Sequence, residues 1–210
     1  MQGLIGKKVG MTRFLDAETG VATPVTVIET GKNVVLQLKT EERDGYCAVQ
    51  LGFDKCKEKH ATKAEIGHAK KHNADVVRVV KEFALSSDMS VEPGQEIGVE
   101  IFANTVYVNV TGTLKGRGFA GTVKKYGFRI GRATHGNTNH RERGSLGAGT
   151  FPGRVFPGLK MAGRYGGTQK TILGVQIVGS DVEKGLLFVK GSIPGKNGGV
   201  VYVKKNEVKG

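Results

Sequence analysis

The chain is poor in cysteine, poor in uninterrupted apolar sequence and, over one long stretch, almost without acid. Only Cys47 and Cys56 occur in 210 residues, too few for a disulfide framework at this size. No run of eighteen apolar residues exists, which excludes a membrane-spanning helix. The opening residues, Met1-Gln2-Gly3-Leu4-Ile5-Gly6-Lys7-Lys8, have neither the apolar centre of a signal peptide nor the composition of a transit peptide, so the cytosol is the expected compartment. The phosphate-loop pattern G-x-x-x-x-G-K-[ST] and the elbow G-x-S-x-G are both missing, and Ser145 sits in a bare G-S-x-G. No sequence signal of a hydrolase remains.

A metal site also lacks its pattern. Cys47, Cys56, His68 and His72 spell C-x8-C-x11-H-x3-H; the histidine half has a permitted spacing, but eight residues between cysteines do not form a zinc knuckle. No metal and no cofactor are expected. Cys47 falls in an apolar strand pattern and reads as a small core residue.

The missing acid defines the most informative stretch. From Lys115 to Lys170, twelve Lys or Arg stand against one acid, Glu142, for a net of +11 in a chain whose total is +13. A charge so confined is a footprint, because a solubility charge spreads over every face. Between Arg132 and Gly167 the large apolar residues are few (Leu146, Phe151, Val155, Phe156, Leu159, Met161 and Tyr165) and follow neither a helical nor a strand period. Such a segment cannot offset its own ordering entropy. It needs a polyanion to order it, and nucleic acid is the expected partner.

The remainder, about 150 residues, is enough for one core that buries roughly 70% of its unfolded surface. Short strand patterns recur about every ten residues: 4–9, 25–29, 34–39, 46–51, 76–83, 97–102 and 106–110, then 172–178, 186–190 and 200–204. This spacing predicts a mainly β fold, a barrel with a small helical insertion near residues 61–73 and a long glycine-rich basic extension between two strands. The globular domain is expected over residues 1–112 and 171–210, with the extension at 113–170.

Within the extension, Gly116-Arg117-Gly118-Phe119-Ala120-Gly121 matches G-x-G-x-x-G. A dinucleotide site also needs a βαβ unit and a downstream acid for the ribose, and neither is visible. The glycines fit close approach of main chain to phosphates, with Lys115 and Arg117 as counter-charges. Lys124, Lys125 and Arg129 alternate with Tyr126 and Phe128, a mix suited to stacking plus phosphate contact. Arg132, His135, His140, Arg141 and Arg143 follow, the histidines reading as RNA contacts. The uncharged run Gly144, Ser145, Leu146, Gly147, Ala148, Gly149, Thr150, Phe151, Pro152 and Gly153 reads as the part that enters the tightest space. Arg154, Lys160 and Arg164 line the return. Two rivals, an RNA-modifying enzyme and a dehydrogenase, lack a convergent catalytic or cofactor site.

Several of these motifs together resemble a known family. Gly6-Lys7-Lys8-Val9-Gly10-Met11-Thr12, Val110-Thr111-Gly112-Thr113, Lys115 to Gly121, the His135-Gly136 and His140-Arg141 pairs, Gly144 to Gly147, Pro152 to Phe156, Lys160 to Gly163, Leu186 to Gly191 and Ile193 to Gly195 are similar to those of the bacterial large-subunit ribosomal protein three family. The resemblance spans nearly the whole chain. It implies a translation-factor-like barrel, direct binding of 23S ribosomal RNA near its 3′ end, an early role in subunit assembly and an extended loop directed toward the peptidyl transferase centre. It adds Lys7, Lys8 and Arg13 to the expected RNA contacts and suggests large-subunit proteins fourteen and nineteen as neighbours. No catalysis, membrane or small-molecule substrate is implied. Two departures stand out: Leu114 replaces a common serine, and Ala148 occupies the place where some members carry a modified glutamine.

Overall fold

The structure, a computed structural model, describes residues 2–15, 20–85 and 91–206. In chain order its elements are β1 (Gly3–Leu15), β2 (Ala22–Glu29), β3 (Asn33–Lys39), α1 (Glu41–Asp44), β4 (Ala48–Lys55), α2 (Lys63–Lys71), β5 (Val77–Ala84) and β6 (Glu96–Ile97). Then come β7 (Tyr107–Thr113), β8 (Phe119–Ala120), α3 (Thr122–Tyr126), β9 (Gly163–Arg164), β10 (Gln169–Asp181), β11 (Leu186–Lys190) and β12 (Val200–Lys205). The chain divides into two compact units, one of residues 1–113 and 169–210, the other of Leu114–Thr168.

In the first unit, β1-β12-β7-β10-β11-β2 close into an antiparallel barrel, and β5-β4-β3-β6 form a second sheet. The fold is mainly β, as the spacing of apolar runs predicts. The strands between residues 33 and 97 are not staves of the barrel but a sheet of their own. Sequence periodicity reports which residues are half-buried without reporting which neighbour covers them.

One core serves both sheets. Leu4, Val108, Val110, Leu187, Val189 and Val203 from the barrel share a cluster with Val35, Val49, Leu51, Phe83 and Phe102 from the second sheet and its flanks. Strand β1 is where the two meet, and Leu4 and Ile5, adjacent and therefore on opposite faces, are both fully buried. Gly3 is small for a reason: a Cβ there would come within 2.8 Å of the Phe83 ring. Asn33, also fully buried, joins the sheets through polar contacts. Its Oδ1 accepts from the Ile5 N–H at 3.1 Å and its Nδ2 donates to the Ile5 and Thr30 carbonyls at 3.0 and 2.9 Å. A side chain thus supplies the ladder that a strand neighbour would supply.

Three local expectations are corrected. Cys47 precedes β4 and is exposed; the strand begins one residue later, with Ala48, Val49 and Leu51 buried. Residues 97–102 split into β6 and a 3-10 turn over Val99–Phe102; Gly98 between them interrupts the strand. Val106 lies outside β7 and is exposed, whereas Val108 and Val110 are buried. The helical stretch is α2, closed at its start by a capping box in which Thr62 accepts from the Glu65 N–H and Glu65 accepts from the Thr62 N–H.

Candidate nucleic-acid interface

β7 and β10 are adjacent staves, paired from Gln176↔Tyr107 to Gln169↔Thr113. The chain leaves at the end of one and returns at the start of the other. Inside the second unit the two arms continue side by side for a short distance. Leu114 N–H donates to Thr168 O at 2.9 Å and Gly167 N–H to Leu114 O at 3.1 Å; Arg117 N–H donates to Tyr165 O and Tyr165 N–H to Gly118 O, both at 2.9 Å. β8 and β9 pair through Phe119↔Arg164 and Ala120↔Gly163. Helix α3 follows and ends at Gly127, whose φ of 71° lets its N–H turn back to the Val123 carbonyl, a left-handed cap that glycine adopts without strain.

This hairpin and helix are more secondary structure than the composition alone suggests, yet they create almost no interior. Ala120 and Thr122 are the buried residues of the unit. Phe119 is 81% exposed and Phe151 87%. The G-x-G-x-x-G run forms the β8 arm of an antiparallel pair before a helix of only five residues.

From Phe128 to Ala162 the path is set by hydrogen bonds between near neighbours. Asn137 organises the first bend: its Nδ2 donates to the Arg132 and Asn139 carbonyls at 3.0 and 3.1 Å, and its Oδ1 accepts from the Asn139 N–H at 3.2 Å. His135 and Gly136 take positive φ values of 61° and 69° at the turn before it. His140 Nδ1 lies 2.8 Å from the Arg132 carbonyl. A carbonyl only accepts, so Nδ1 carries the proton and Nε2 is left for an outside partner. Gly131 is required at the crossing, since a Cβ there would collide with the Asn139 carbonyl. Asn137 was not among the expected site residues, although an asparagine following glycine is a recognised turn signal.

The expected cations separate into two kinds. Arg143 donates from Nε to the Lys160 carbonyl at 2.7 Å and from an Nη to the Ser145 carbonyl at 3.4 Å, so it ties the outgoing arm to the returning one. Lys125 and Lys160 each bring an ammonium to the Tyr126 ring, 5.1 and 5.9 Å from its centre. Arg117 lies 5.5 Å from the Tyr165 centroid and Arg154 5.9 Å from that of Phe156, within reach of a cation–π attraction. Lys115, Lys124, Arg129, Arg132, His135, Arg141 and Arg164 are exposed. The uncharged run from Gly144 to Gly153 is exposed except for the half-buried Pro152, and Gly144, Gly149 and Gly153 bend it with φ values of 90°, 96° and 65°.

On the first unit, Lys7 and Arg13 are exposed on β1. Lys8 is a correction: it is 7% exposed, and its Nζ donates to the carbonyls of Ile193 at 2.9 Å and Gly195 at 3.4 Å. A bulge between Lys8 and Gly10 changes which face the following residues occupy, and the ammonium is committed to the fold. Among the described residues no group of three or more His, Cys, Asp or Glu is placed to hold a metal ion. His68 and His72 pack edge to face with ring centres 5.0 Å apart.

The family model described as ribosomal protein L3 matches residues 48–181. Large ribosomal subunit protein uL3 of a Picosynechococcus strain is 48% identical over 208 residues, covering 99% of this chain and 98% of that one. This chain belongs to the ribosomal protein L3 family. A second cyanobacterial uL3, from Synechococcus strain RCC307, is 48% identical over 96% of this chain and 94% of its own. The protein named uL3c from Cyanophora paradoxa is 47% identical over 96% of each chain. The family match includes the whole Leu114–Thr168 unit and most of the second sheet. Membership places the chain among structural proteins and not among enzymes.

Proposed function

We propose that this protein is a structural component of the large ribosomal subunit and grips 23S ribosomal RNA chiefly through residues 113–170. One observation carries the reading: the Leu114–Thr168 unit has eleven Lys or Arg, a single acid and just two buried residues, Ala120 and Thr122. Cation density without an interior is what a polyanion can order and a hydrophobic core cannot. The family fits this reading, since the relatives carry large-subunit names.

The finer assignment rests on the resemblance to the family, to which the chain belongs. The globular part, residues 1–112 and 171–210, seats the protein, and Lys7 and Arg13 add contacts from β1. Exposed Lys115, Arg117, Lys124, Arg129, Arg132, Arg141, Arg154, Lys160 and Arg164, with His135 and the Nε2 of His140, meet phosphates and bases. The uncharged run 144–153 enters where RNA helices converge, toward the peptidyl transferase centre. Binding near the 3′ end of the RNA at an early stage of assembly, contact with large-subunit proteins fourteen and nineteen, and a cytoplasmic site of action complete the proposal.

Sedimentation tests it. After mild lysis the protein is expected to travel with large subunits and to leave them when RNA is digested or salt is raised. Sedimentation as a free protein at low salt would overturn the reading.

A further inference from the structure

The acid in the cationic unit is out of place electrostatically. A carboxylate beside RNA meets phosphates of its own sign, and across Leu114–Thr168 Glu142 is the one residue that accepts that repulsion. No internal partner explains it. Among the described residues Glu142 makes neither an ion pair nor a hydrogen bond, although Arg141 and Arg143 flank it. It lines instead a concavity of about 440 Å³ with Arg129, Arg132, Asn137, Asn139 and Arg143, within the size range of small-ligand sites.

The walls of this concavity are held in place. Asn137 joins Arg132 to Asn139, the Gly131 N–H donates to the His140 carbonyl at 2.9 Å, and Arg143 is anchored on the Lys160 carbonyl. The side chains of Arg129, Arg132 and Glu142 are left for a ligand. Two cations and one acceptor-only carboxylate describe a ligand with adjacent N–H donors on one edge and acceptors on another. Phosphate offers no donor. Among the bases, guanine presents N1–H and N2–H side by side on its Watson–Crick edge and O6 with N7 for an arginine fork; adenine and cytosine offer a carboxylate only an exocyclic amine.

Resting on the RNA-binding reading above, we propose that this concavity receives one unpaired guanine, with Glu142 accepting from its Watson–Crick edge and Arg129 or Arg132 on its O6/N7 edge. Glu142 is then the residue that confers base identity on a surface otherwise suited to backbone.

The direction of one substitution decides. Glu142→Gln removes a negative charge from a cationic face, so charge alone would make RNA bind tighter. The proposal requires weaker binding, by roughly tenfold, at unchanged salt slope. Glu142 is exposed and the swap is isosteric, so folding is not at stake. The measurement uses the full chain and large-subunit ribosomal RNA transcribed in vitro, with a dicarbonyl reagent that adds across N1 and N2 of unpaired guanine. One guanine protected by the unsubstituted protein should become reactive with Glu142→Gln. Equal or tighter binding, or a protection pattern indifferent to residue 142, overturns the guanine site and leaves RNA binding intact. Failure of the unsubstituted protein to bind at all overturns both.

Discussion

Lys8 brings an ammonium to a position where little of it meets water and gives it two carbonyls, those of Ile193 and Gly195. Removing it strands the buried Ile193 carbonyl, at a cost of about 1–3 kcal/mol. Lys8→Ala should therefore lower the Tm by roughly 2–4 °C for each kcal/mol lost, read by thermal unfolding, and leave the salt slope of RNA binding where it was. Arg141→Ala, at an exposed position, should do the reverse: an unchanged Tm and a slope reduced by about 1. Gly131 makes a third case, since any side chain there meets the Asn139 carbonyl. Gly131→Ala should weaken RNA binding without touching barrel stability, as the bend that positions Arg132 and His140 has to open. Which cations face outward was not readable from composition. Lys7 and Lys8 are neighbours of one type, and a bulge together with the 193–195 carbonyls separates their fates.

At the scale of elements, α2 depends on its first turn. Thr62 and Glu65 satisfy each other's main-chain N–H groups, and Thr62→Ala should cost about 1 kcal/mol, seen as faster amide exchange over residues 63–71. The main-chain N–H of Thr62, and after it the Thr62 hydroxyl, hold the Glu65 carboxyl below its ordinary value. A lowered folded-state value means the cap's contribution is whole above the usual glutamate range, near ~4.3, and disappears as pH falls through the depressed value. Amide exchange of α2 should accelerate in that acidic window. Strand positions were legible because alternation at Val108 and Val110, or Val201 and Val203, survives any choice of neighbour. The division into barrel and second sheet was not, because pairings such as Val34↔Gly52 and Ile5↔Tyr202 join residues far apart in sequence. The 3-10 turn at Val99–Phe102 escaped too, since its apolar residues are as buried as a strand's.

For the molecule as a whole, salt is the sharpest probe. About ten neutralised phosphates imply a loss of ~10³ to 10⁵ in affinity between 50 and 200 mM salt; a flat response in filter binding would remove the basis for the proposed role. Protease should cut the free protein between Arg129 and Lys160, where no residue is buried, and RNA should protect those bonds. Deleting residues 132–164 is expected to leave the barrel folded by circular dichroism while subunit assembly fails. The reason lies in the Thr113↔Gln169 rung. Facing residues of an antiparallel ladder are only about 5 Å apart, so the barrel sees the intervening fifty-five residues as it would see a tight turn. A connection of any length can bridge that rung, so the insertion's length and sequence are free to vary while the six staves keep their register and their fold.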